Sequence, residues 1–447
     1  MAFLTDYIKL ITDVLFVGVF GWVFILVFIG VLAYMLWWLK RDLARNKYTN
    51  EDTKWIFLEV KIDELNEKSP LAMEQIFAAL HAIHQNFTWG EDLAGRVVLT
   101  VSCEIVSLGG KVSYIFKMPE RYRNLFESAL FAQYPKAEVH EVEDYLRNLP
   151  HHYVPEQVDF DFWGTQLNKK KDNAYPIRTY AQDASFEHSV QETIVDTLSN
   201  VIEVMSNLQP YELMAYQIVM KPVDDKWKEH TKHLVDELKG VPRKHGIGTF
   251  EKILFFIPDL LAGALVSALQ GPNAEENRTV SRTQEEPPSL MLHRTDVEKM
   301  VITAIEHAIS KVSYDVKIRL LYLAPKGKFN KSLRVPEIVG AFRNFDEINL
   351  NGLKPDIGHT WTDKAYKISE RLEAPYLRMN ILKRKRHLLH YFSWRTNWKG
   401  SGKIILNTEE LATIYHFPQV PHTRVSQLEK VHAVKVAPPM DLPIGEL

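Results

Sequence analysis

Residues 14–39, with the sequence VLFVGVFGWVFILVFIGVLAYMLWWL, contain no charged side chain. At about 1.5 Å per residue, a helix of this length reaches roughly 39 Å, which exceeds the roughly 30 Å hydrocarbon thickness of a bilayer. A cleaved signal peptide would need a basic N-terminal region, a shorter apolar segment and a small-residue cleavage site, and none of these is visible here. We therefore predict a retained, single membrane-spanning helix at Val14–Leu39.

The residues that flank this helix predict its orientation. Trp37 and Trp38 stand at its C-terminal end, where aromatic side chains favour the headgroup region, and Lys40 and Arg41 follow directly. On the N-terminal side, two aspartates offset the single lysine, Lys9. Because basic residues favour the cytoplasmic side, we expect the short N-terminus outside and the rest of the chain in the cytoplasm.

The composition limits the partners and the compartment of the chain. Lys and Arg number 54 against 56 Asp and Glu, so a nucleic acid or an anionic lipid would have to bind a local patch. The hydrophobic share of 46% excludes a mostly disordered chain, and 447 residues suffice for two or three domains. Cys103 is the only cysteine, which excludes an internal disulfide, and its apolar neighbours predict a buried position in a strand.

Hydrophobic periodicity in residues 48–150 predicts the element order β-α-β-β-α-β. This order is typical of an α+β, ferredoxin-like domain, in which two helices cover one face of a four-stranded antiparallel sheet. The predicted elements are a strand Trp55–Ile62, a helix Pro70–Phe87, strands Arg96–Val106 and Lys111–Met118, a helix from Pro119, and a strand Ala137–Val142.

A second α+β domain is predicted in residues 151–350, and the sequence leaves open whether it duplicates the first. Residues 241–290 interrupt it. Within them, Ile247–Leu269 is apolar but carries charges that disfavour a full membrane crossing, so an interfacial or partner-facing helix pair and a buried core segment both stay open. Gly271–Ser289 is predicted to be a linker. The predicted strands are Val158–Leu167, Tyr175–Tyr180, Glu212–Lys221 and Tyr314–Tyr322. The predicted helices are Val190–Met205, Trp227–Leu238 and two more that begin at Thr295 and at Pro336.

The sequence thus divides into an N-terminal tail with the membrane helix (1–47), two α+β domains (48–150 and 151–350) and a C-terminal region (351–447). The C-terminal region contains a predicted helix at Ala374–Leu389 and a strand at Lys403–Leu406. Residues Asn407–Glu410 form a capping arrangement that predicts the start of another helix. The Pro-rich segment Ala437–Pro443 is predicted to be a linker.

One stretch, Arg378–Lys403, is dense in basic and aromatic residues. Cations for phosphates and aromatic faces for unpaired bases are what a single-strand binder needs, and anionic headgroups would suit the same residues. A charged helix face with its aromatic residues in the core is the alternative. The candidate contact residues are Lys383, Arg384, Lys385, Arg386, Tyr391, Trp394, Arg395, Trp398 and Lys399.

No catalytic, cofactor or metal motif is found in the sequence, so we expect a protein that is not an enzyme. An enzyme whose active site is assembled from residues far apart in the sequence is the weaker alternative. The nearest approach to a phosphate loop, Gly400-Ser-Gly402-Lys403, has Asn397 in place of the first glycine and Ile404 in place of the hydroxyl residue. His81 and His84 have metal-ligand spacing, but the apolar stripe around His84 favours a hydrogen-bonded core histidine.

Four stretches resemble the membrane-proximal half of bacterial conjugative-transfer ATPases, the coupling-protein-like components of type IV secretion systems. The resemblance covers roughly residues 150–447. It is carried by Asp161-Phe-Trp-Gly-Thr165, Ala174-Tyr-Pro-Ile-Arg-Thr-Tyr180, Thr197–Pro222 and, most specifically, Ile405-Leu-Asn-Thr-Glu-Glu-Leu-Ala-Thr-Ile-Tyr-His-Phe-Pro418.

In that family a Pro-rich linker leads into a RecA-like motor, whereas this sequence ends at Leu447 before such a motor. The resemblance therefore implies a non-catalytic scaffold or docking component of a DNA or protein transfer system in the bacterial inner membrane. It implies protein partners, and either a motor ATPase on a separate chain is one of them or the chain is a remaining domain of uncharacterised role; we expect a homo-oligomer. The alternative hypothesis is a membrane-tethered single-stranded nucleic-acid binder that uses residues 378–403.

Overall fold

The computed structural model of the protein describes residues 2–63, 66–147, 149–150, 153–182, 196–239, 294–363, 374–400 and 402–419. The chain forms two compact units. Met1–Asp224 and Lys311–Leu447 make up the large unit, and Asp225–Ser310 makes up the small unit. The four-part division drawn from the sequence stays a prediction.

A long helix, α1 (Ala2–Asn50), begins the large unit. Its part Gly21–Asn50 is long and apolar enough to cross a membrane, with a mean hydropathy of 2.3 in its most apolar window, none of which is buried in the protein. The prediction of an apolar helix of spanning length is thus confirmed. A signal sequence meets the same criteria of length and composition, so retention and orientation of the helix stay predictions.

Within the described residues, nine strands form one antiparallel sheet, and the predicted mixed α+β class is confirmed. The strand order is β4-β1-β3-β2-β6-β7-β5-β8, and β9 pairs with the N-terminal part of β7. The strands are β1 (Trp55–Lys61), β2 (Val101–Leu108), β3 (Lys111–Pro119), β4 (Glu138–Glu141), β5 (Phe160–Lys169), β6 (Leu213–Pro222), β7 (Ser313–Pro325), β8 (Leu353–Pro355) and β9 (Ile404–Asn407).

The two halves of the sheet have the same internal order. The first half runs β4-β1-β3-β2, and the second half runs β8-β5-β7-β6 in the opposite direction along the sheet. They join where β2 pairs with β6, from Val101 opposite Met220 to Leu108 opposite Leu213. Because β2 is paired with β6 along its whole length, neither strand is an edge strand at the join.

Helices cover both faces of this sheet. Helices α2, α4, α5, α8 and α10 bury their apolar residues on one face, in a core that includes Phe77, Phe116 and Tyr216. The helices of the large unit after α1 are α2 (Pro70–Leu80), α3 (Trp89–Leu93), α4 (Arg123–Gln133) and α5 (Ser199–Ser206), followed, after α6 (Lys226–Lys239) and α7 (Asp296–Ser310) of the small unit, by α8 (Lys331–Ala341), α9 (Ala374–Trp394) and α10 (Thr408–Ile414).

Helix α9 covers the opposite face. Its residues Leu388, Leu389 and Phe392 are buried against Phe162 and Leu321 of the sheet. Their spacing of one, three and four residues places them on one side of a helix, which is why this helix lies flat on the sheet. Burial of each such side chain contributes about 1.5–3 kcal/mol, which is enough to hold α9 in place.

The small unit consists, in its described part, of α6 and α7. The predicted capping box at the start of α7 is present: the Glu298 amide donates to Thr295 Oγ1 at 3.3 Å, and the Thr295 amide donates to Glu298 Oε2 at 2.9 Å. Arg294 donates to the Leu238 carbonyl at 2.8 Å and so ties the start of α7 to the end of α6.

The predicted strand Arg96–Val106 begins only at Val101, and in the described part of the predicted helix Val190–Met205 the helix begins only at Ser199. Three other sequence predictions about local structure are wrong. Tyr175–Tyr180 forms no strand: residues 175–179 are irregular and Tyr180 begins a helical turn. Side chains of α10 bond its amides, since Ile177 N donates to Glu410 Oε1 at 2.9 Å and Tyr180 N to Thr413 Oγ1 at 3.2 Å. Helix α8 begins before Pro336, since the side chain of Asn330 caps it.

The third wrong prediction is the helix Pro70–Phe87. It ends at Leu80 and continues only as a 3-10 turn to Ile83, after which Thr88 starts α3 with its own capping box. Apolar spacing alone did not show this break.

The predicted burial of Cys103 in a strand is confirmed on β2. Outside the described residues lie Ile247–Leu269, Gly271–Ser289, His151-His152 and Ala437–Pro443.

Candidate functional site

The basic and aromatic stretch singled out in the sequence forms helix α9 and the loop that follows it. Lys383, His387 and Tyr391 lie four residues apart, so they share one side of the helix, next to the side that packs on the sheet. The sheet therefore fixes the direction in which this polar side points.

This polar side forms one wall of a cavity of about 550 Å³. The other walls are the loop after β8 and the loop after α9. Among the lining residues, lysine, arginine and histidine side chains are present and carboxylates are absent, so the cavity favours an anion. The lining residues are Gly358, His359, Thr360, Asn380, Lys383, Arg384, His387, Leu388, Tyr391, Gly400 and Gly402.

The loop after β8 is fixed to the sheet and to α9. The amide of Gln166 on β5 donates to Thr360 Oγ1 at 2.9 Å, so a hydroxyl takes the place that a neighbouring strand's carbonyl would have. Arg384 donates to the carbonyls of Ile357 and Trp361 at 3.1 and 3.3 Å. These two hydrogen bonds already order the Arg384 side chain at the cavity wall. Binding of a ligand there would therefore cost little conformational entropy for this side chain.

The loop after α9 needs glycine where it lines the cavity. Gly400 has φ +107°, a conformation that side chains rarely adopt, and a Cβ atom there would overlap Gln166 Oε1. Gly402 also has positive φ, at +47°, and its carbonyl accepts a hydrogen bond from Lys317 Nζ. These backbone contacts hold the loop close to the sheet.

A row of polar side chains crosses the sheet beneath α9. Glu104, Gln217, Arg319 and Gln166 lie directly opposite one another on β2, β6, β7 and β5. Burial lowers the pKa of Arg319 to about 9. Its guanidinium donates to Gln217 at 3.2 Å, to the Tyr391 carbonyl at 3.1 Å and to two carbonyls of the following loop. This row anchors the helix and the loop that form the cavity.

Arg395, one of the predicted contact residues, is buried in this framework. Its Nε lies 2.6 Å from Glu104 Oε1, and its Nη1 lies 2.8 Å from Asp144 Oδ2. Ser102 and Tyr145 also donate to Glu104, at 2.6 and 2.7 Å. Burial lowers the pKa of Arg395, but the charges of Glu104, Tyr145 and Asp144 and the hydrogen bond to Asp144 together outweigh it and raise the pKa above its ordinary value. The guanidinium is therefore a structural cation with its donors occupied.

Lys385 and Arg386 are likewise engaged within the chain. Lys385 forms an ion pair with Asp161, and Arg386 Nε donates to the Tyr153 carbonyl at 2.9 Å. Burial favours the neutral form of Asp161, but the hydrogen bond and charge of Lys385 hold its pKa below the ordinary value. Lys385 thus ties α9 to the start of β5, and Arg386 ties it to the segment before β5.

The remaining candidates are on the surface beside the cavity. Trp398 is 67% exposed, and the Nζ atom of Lys399 lies 4.4 Å from its ring centroid. Trp394 is partly exposed and stacks on His390, with ring centroids 5.7 Å apart. An aromatic ring that is left in water next to a cationic wall can stack on a planar ligand group.

Three predicted residues, Lys383, Arg384 and Tyr391, thus line one cavity. The contact residues predicted from the sequence did not include His359 and His387, which line the cavity as well. The four-residue spacing of His387 from Lys383 and Tyr391 could have indicated it. Nothing in the sequence connects His359 with α9, because the loop after β8 reaches the helix only through the fold of the sheet.

The histidine pair His81 and His84 is partly buried, with ring centroids 5.8 Å apart, and a ring nitrogen of His81 lies 3.2 Å from the Val223 carbonyl. Over the described ranges, no group of three or more His, Cys, Asp or Glu residues is arranged to hold a metal ion.

Comparison with known proteins gives one family. The model of a family described as a domain of unknown function, DUF8128, matches residues 34–426. No curated protein matches the chain. The matched range includes the last residues of the apolar helix, the whole described sheet and the cavity.

Proposed function

The chain belongs to the DUF8128 family of domains of unknown function, and we propose that it is a single-pass, membrane-anchored docking component of a conjugation-like or type IV secretion-like transfer system. Its large unit lies on the cytoplasmic side and holds other components, including a motor ATPase on a separate chain, at the membrane. The observation that carries the proposal is the direct connection between the apolar helix and the large unit.

That connection is a continuous helix rather than a linker. Helix α1 runs unbroken from its apolar part to Asn50, and its last turns are bonded to the large unit. Arg41 and Arg45 pair with Asp92, and Trp55 Nε1 donates to the Thr49 carbonyl at 2.7 Å. A rigid connection of this kind keeps the unit at a fixed distance from the bilayer, as a docking component requires.

The segment that carries the resemblance to conjugative-transfer ATPases is part of the core. Residues 404–419 are all buried. Glu409 and Glu410 form ion pairs with Lys311 and Lys169, at 2.5 and 2.9 Å. A segment that is enclosed in this way stabilises a framework and presents no reactive group, which supports a docking role over a catalytic one.

We also propose that each half of the sheet is a ferredoxin-like unit and that the second arose by duplication of the first. In support, both halves have the order of strands 4-1-3-2 when numbered along the chain, with helices after their first and third strands. In the second half, the small unit is inserted between β6 and β7. Solved structures of each half, compared by superposition, would test the proposal.

Purification of the full chain from gently solubilised membranes tests the docking role. We expect a motor ATPase or another secretion component to co-purify. As a control, the extract is washed at high salt before capture, which separates adventitious ionic contacts from a docking interface. Recovery of the protein alone from its native membrane would contradict the proposal.

A second function is favoured by the cavity: binding of single-stranded nucleic acid. Lys383 and Arg384 supply cations for phosphates, and the exposed rings of Trp394 and Trp398 supply stacking surfaces beside them. Lys385, Arg386 and Arg395 do not belong to this site, because their side chains form ion pairs and hydrogen bonds within the chain.

Charge reversal tests this function. We expect Lys383→Glu to weaken binding of a fluorescent single-stranded oligonucleotide and to reduce the slope of log affinity against log salt by about 1. Lys232→Glu is the matched control, because Lys232 is an exposed lysine of α6 that does not line the cavity. Equal affinities and equal slopes for the two variants would rule out binding at this site.

A further inference from the structure

Among the described side chains of α1, which begin at Gly21, Arg41 is the first that the rest of the large unit covers. The side chains from Gly21 to Lys40 are exposed, whereas Arg41 is partly covered. The covering element is α3, whose Asp92 pairs with Arg41 and also with Arg45 at 2.8 Å. Gly95, just after α3, lies so close to Ala44 that a Cβ atom there would overlap the Ala44 backbone. Helix α3 is therefore bound to α1 where its apolar part ends.

Helix α3 begins with Trp89, whose side chain is 78% exposed. Trp89 lies three residues before Asp92, less than one helical turn away. The guanidinium of Arg41 links this element to the aromatic end of α1, since it lies 5.3 Å from the Trp37 ring centroid. Trp37 and Trp38 are within about 6 Å of Arg41 along the helix axis, at 1.5 Å per residue.

We propose that α3 is a second membrane contact, with Trp89 inserted in the headgroup region of the leaflet that α1 leaves. Tryptophan prefers this region because its ring is apolar and its indole N–H needs a polar partner. An exposed ring on a helix that is bonded to α1 close to this level fits a lipid surface. The inference rests on the proposed membrane anchoring.

A second membrane contact would restrain the orientation of the large unit at the bilayer. A single helix fixes the distance of the large unit from the bilayer but leaves its rotation and tilt free. A membrane contact through Trp89 restrains both the rotation and the tilt, because Asp92 of the same helix α3 is paired with α1. The docking surfaces of the large unit would then face a constant direction.

A fluorescent label at position 89 tests the inference. The full chain is reconstituted in vesicles with nitroxide-labelled headgroups, and Trp89→Cys carries an environment-sensitive fluorophore. Cys103 is fully buried, so the unsubstituted chain measures background labelling. Ile348→Cys is the matched control, because Ile348 is 92% exposed and lies in the loop before β8, the strand at the opposite end of the sheet from β4. Neither substitution removes a packed side chain, so both variants should fold.

We expect the label at position 89 to lose most of its emission to the nitroxide and to shift to shorter wavelength, while the label at position 348 changes in neither respect. Equal quenching at the two positions would overturn the inference. Flotation of the same vesicles separates the two proposals. A chain that floats with an unquenched label at 89 refutes only the α3 contact, whereas a chain that does not float refutes the anchoring as well.

Discussion

Arg395 and Glu104 form a buried ion pair with Nε and Oε1 2.6 Å apart, although 291 positions separate them in the chain. Glu104 lies on β2, in the first half of the sheet, and Arg395 follows α9 near the end of the large unit. The pair therefore holds the end of α9 over the junction of the two half-sheets. Arg395 therefore stabilises the fold, although it belongs to the basic and aromatic stretch Arg378–Lys403.

Substitution of Arg395 should strongly destabilise the large unit. Arg395→Met leaves the Glu104 carboxylate buried without its cation, and we expect a loss of about 3–5 kcal/mol in the free energy of unfolding. Arg147→Met is the matched control, since its ion pair with Glu143 is exposed and contributes at most about 1 kcal/mol. Urea unfolding of the full chains in detergent, followed by tryptophan fluorescence, gives both values. Similar losses for the two variants would refute a structural role of the buried pair.

The capping box at the start of α10 should contribute more than the same motif at the start of α7. Glu410 caps Asn407, accepts the Ile177 amide and pairs with the buried Lys169. Glu410→Ala leaves that lysine unpaired, so we expect a loss of about 3–5 kcal/mol in unfolding free energy. Glu298→Ala, in the exposed capping box of α7, should cost much less. The same urea titration measures both, and equal losses would contradict the prediction.

The stability of the large unit should depend on pH through Lys117. Burial, together with the like charge of Arg395, lowers its pKa to about 7, and its Nζ atom lies 4.5 Å from the Trp55 ring centroid. Between about pH 7 and pH 10 the unfolded chain keeps this proton while the folded chain releases it, so stability rises with pH in that window. Below about pH 7 both states are protonated and this contribution is constant.

Lys117→Met removes this group and serves as the comparison. From pH 7 to pH 9, we expect the free energy of unfolding of the wild-type chain to rise relative to that of the variant. The difference between the two should not change between pH 5 and pH 6. A constant difference over the whole range would show that Lys117 is charged in the folded protein at neutral pH.

Two glycine substitutions should have effects of opposite sign. Gly400 has φ +107° and lies against Gln166, so Gly400→Ala should destabilise the loop by about 1–3 kcal/mol and distort the cavity. Gly340 lies inside α8 with open space at its Cβ position, so Gly340→Ala should stabilise the unit by about 0.4–1 kcal/mol. Thermal unfolding of the two variants tests the prediction, and a shift in the same direction would contradict it.

Sequence patterns predicted most of the strands and helices of the large unit because those elements depend on neighbouring residues. Alternation in Trp55–Ile62 and the capping residues Asn407 and Glu410 are local signals, and both elements form where predicted. The segment Tyr175–Tyr180 has the same local signal as a strand. It forms no strand, and its amides are bonded instead by the side chains of Glu410 and Thr413, which are distant in sequence.

The candidate site shows the same division. The sequence identified α9 as basic and aromatic, but it did not separate Lys383 and Arg384, which line the cavity, from Lys385 and Arg395, which form ion pairs with the sheet. Adjacent residues of a helix point about 100° apart, so which of them meets a partner depends on how the helix lies on the sheet.

The sequence by itself determined the apolar N-terminal helix, the α+β class and the burial of Cys103, since each follows from the hydrophobic pattern of a short segment. Only the tertiary structure decided that β2 joins β6, that Arg395 meets Glu104 and that the loop at His359 closes a cavity with α9. These contacts join segments that are far apart in the chain. Their free energy comes from burying both partners together, which no local pattern of residues records.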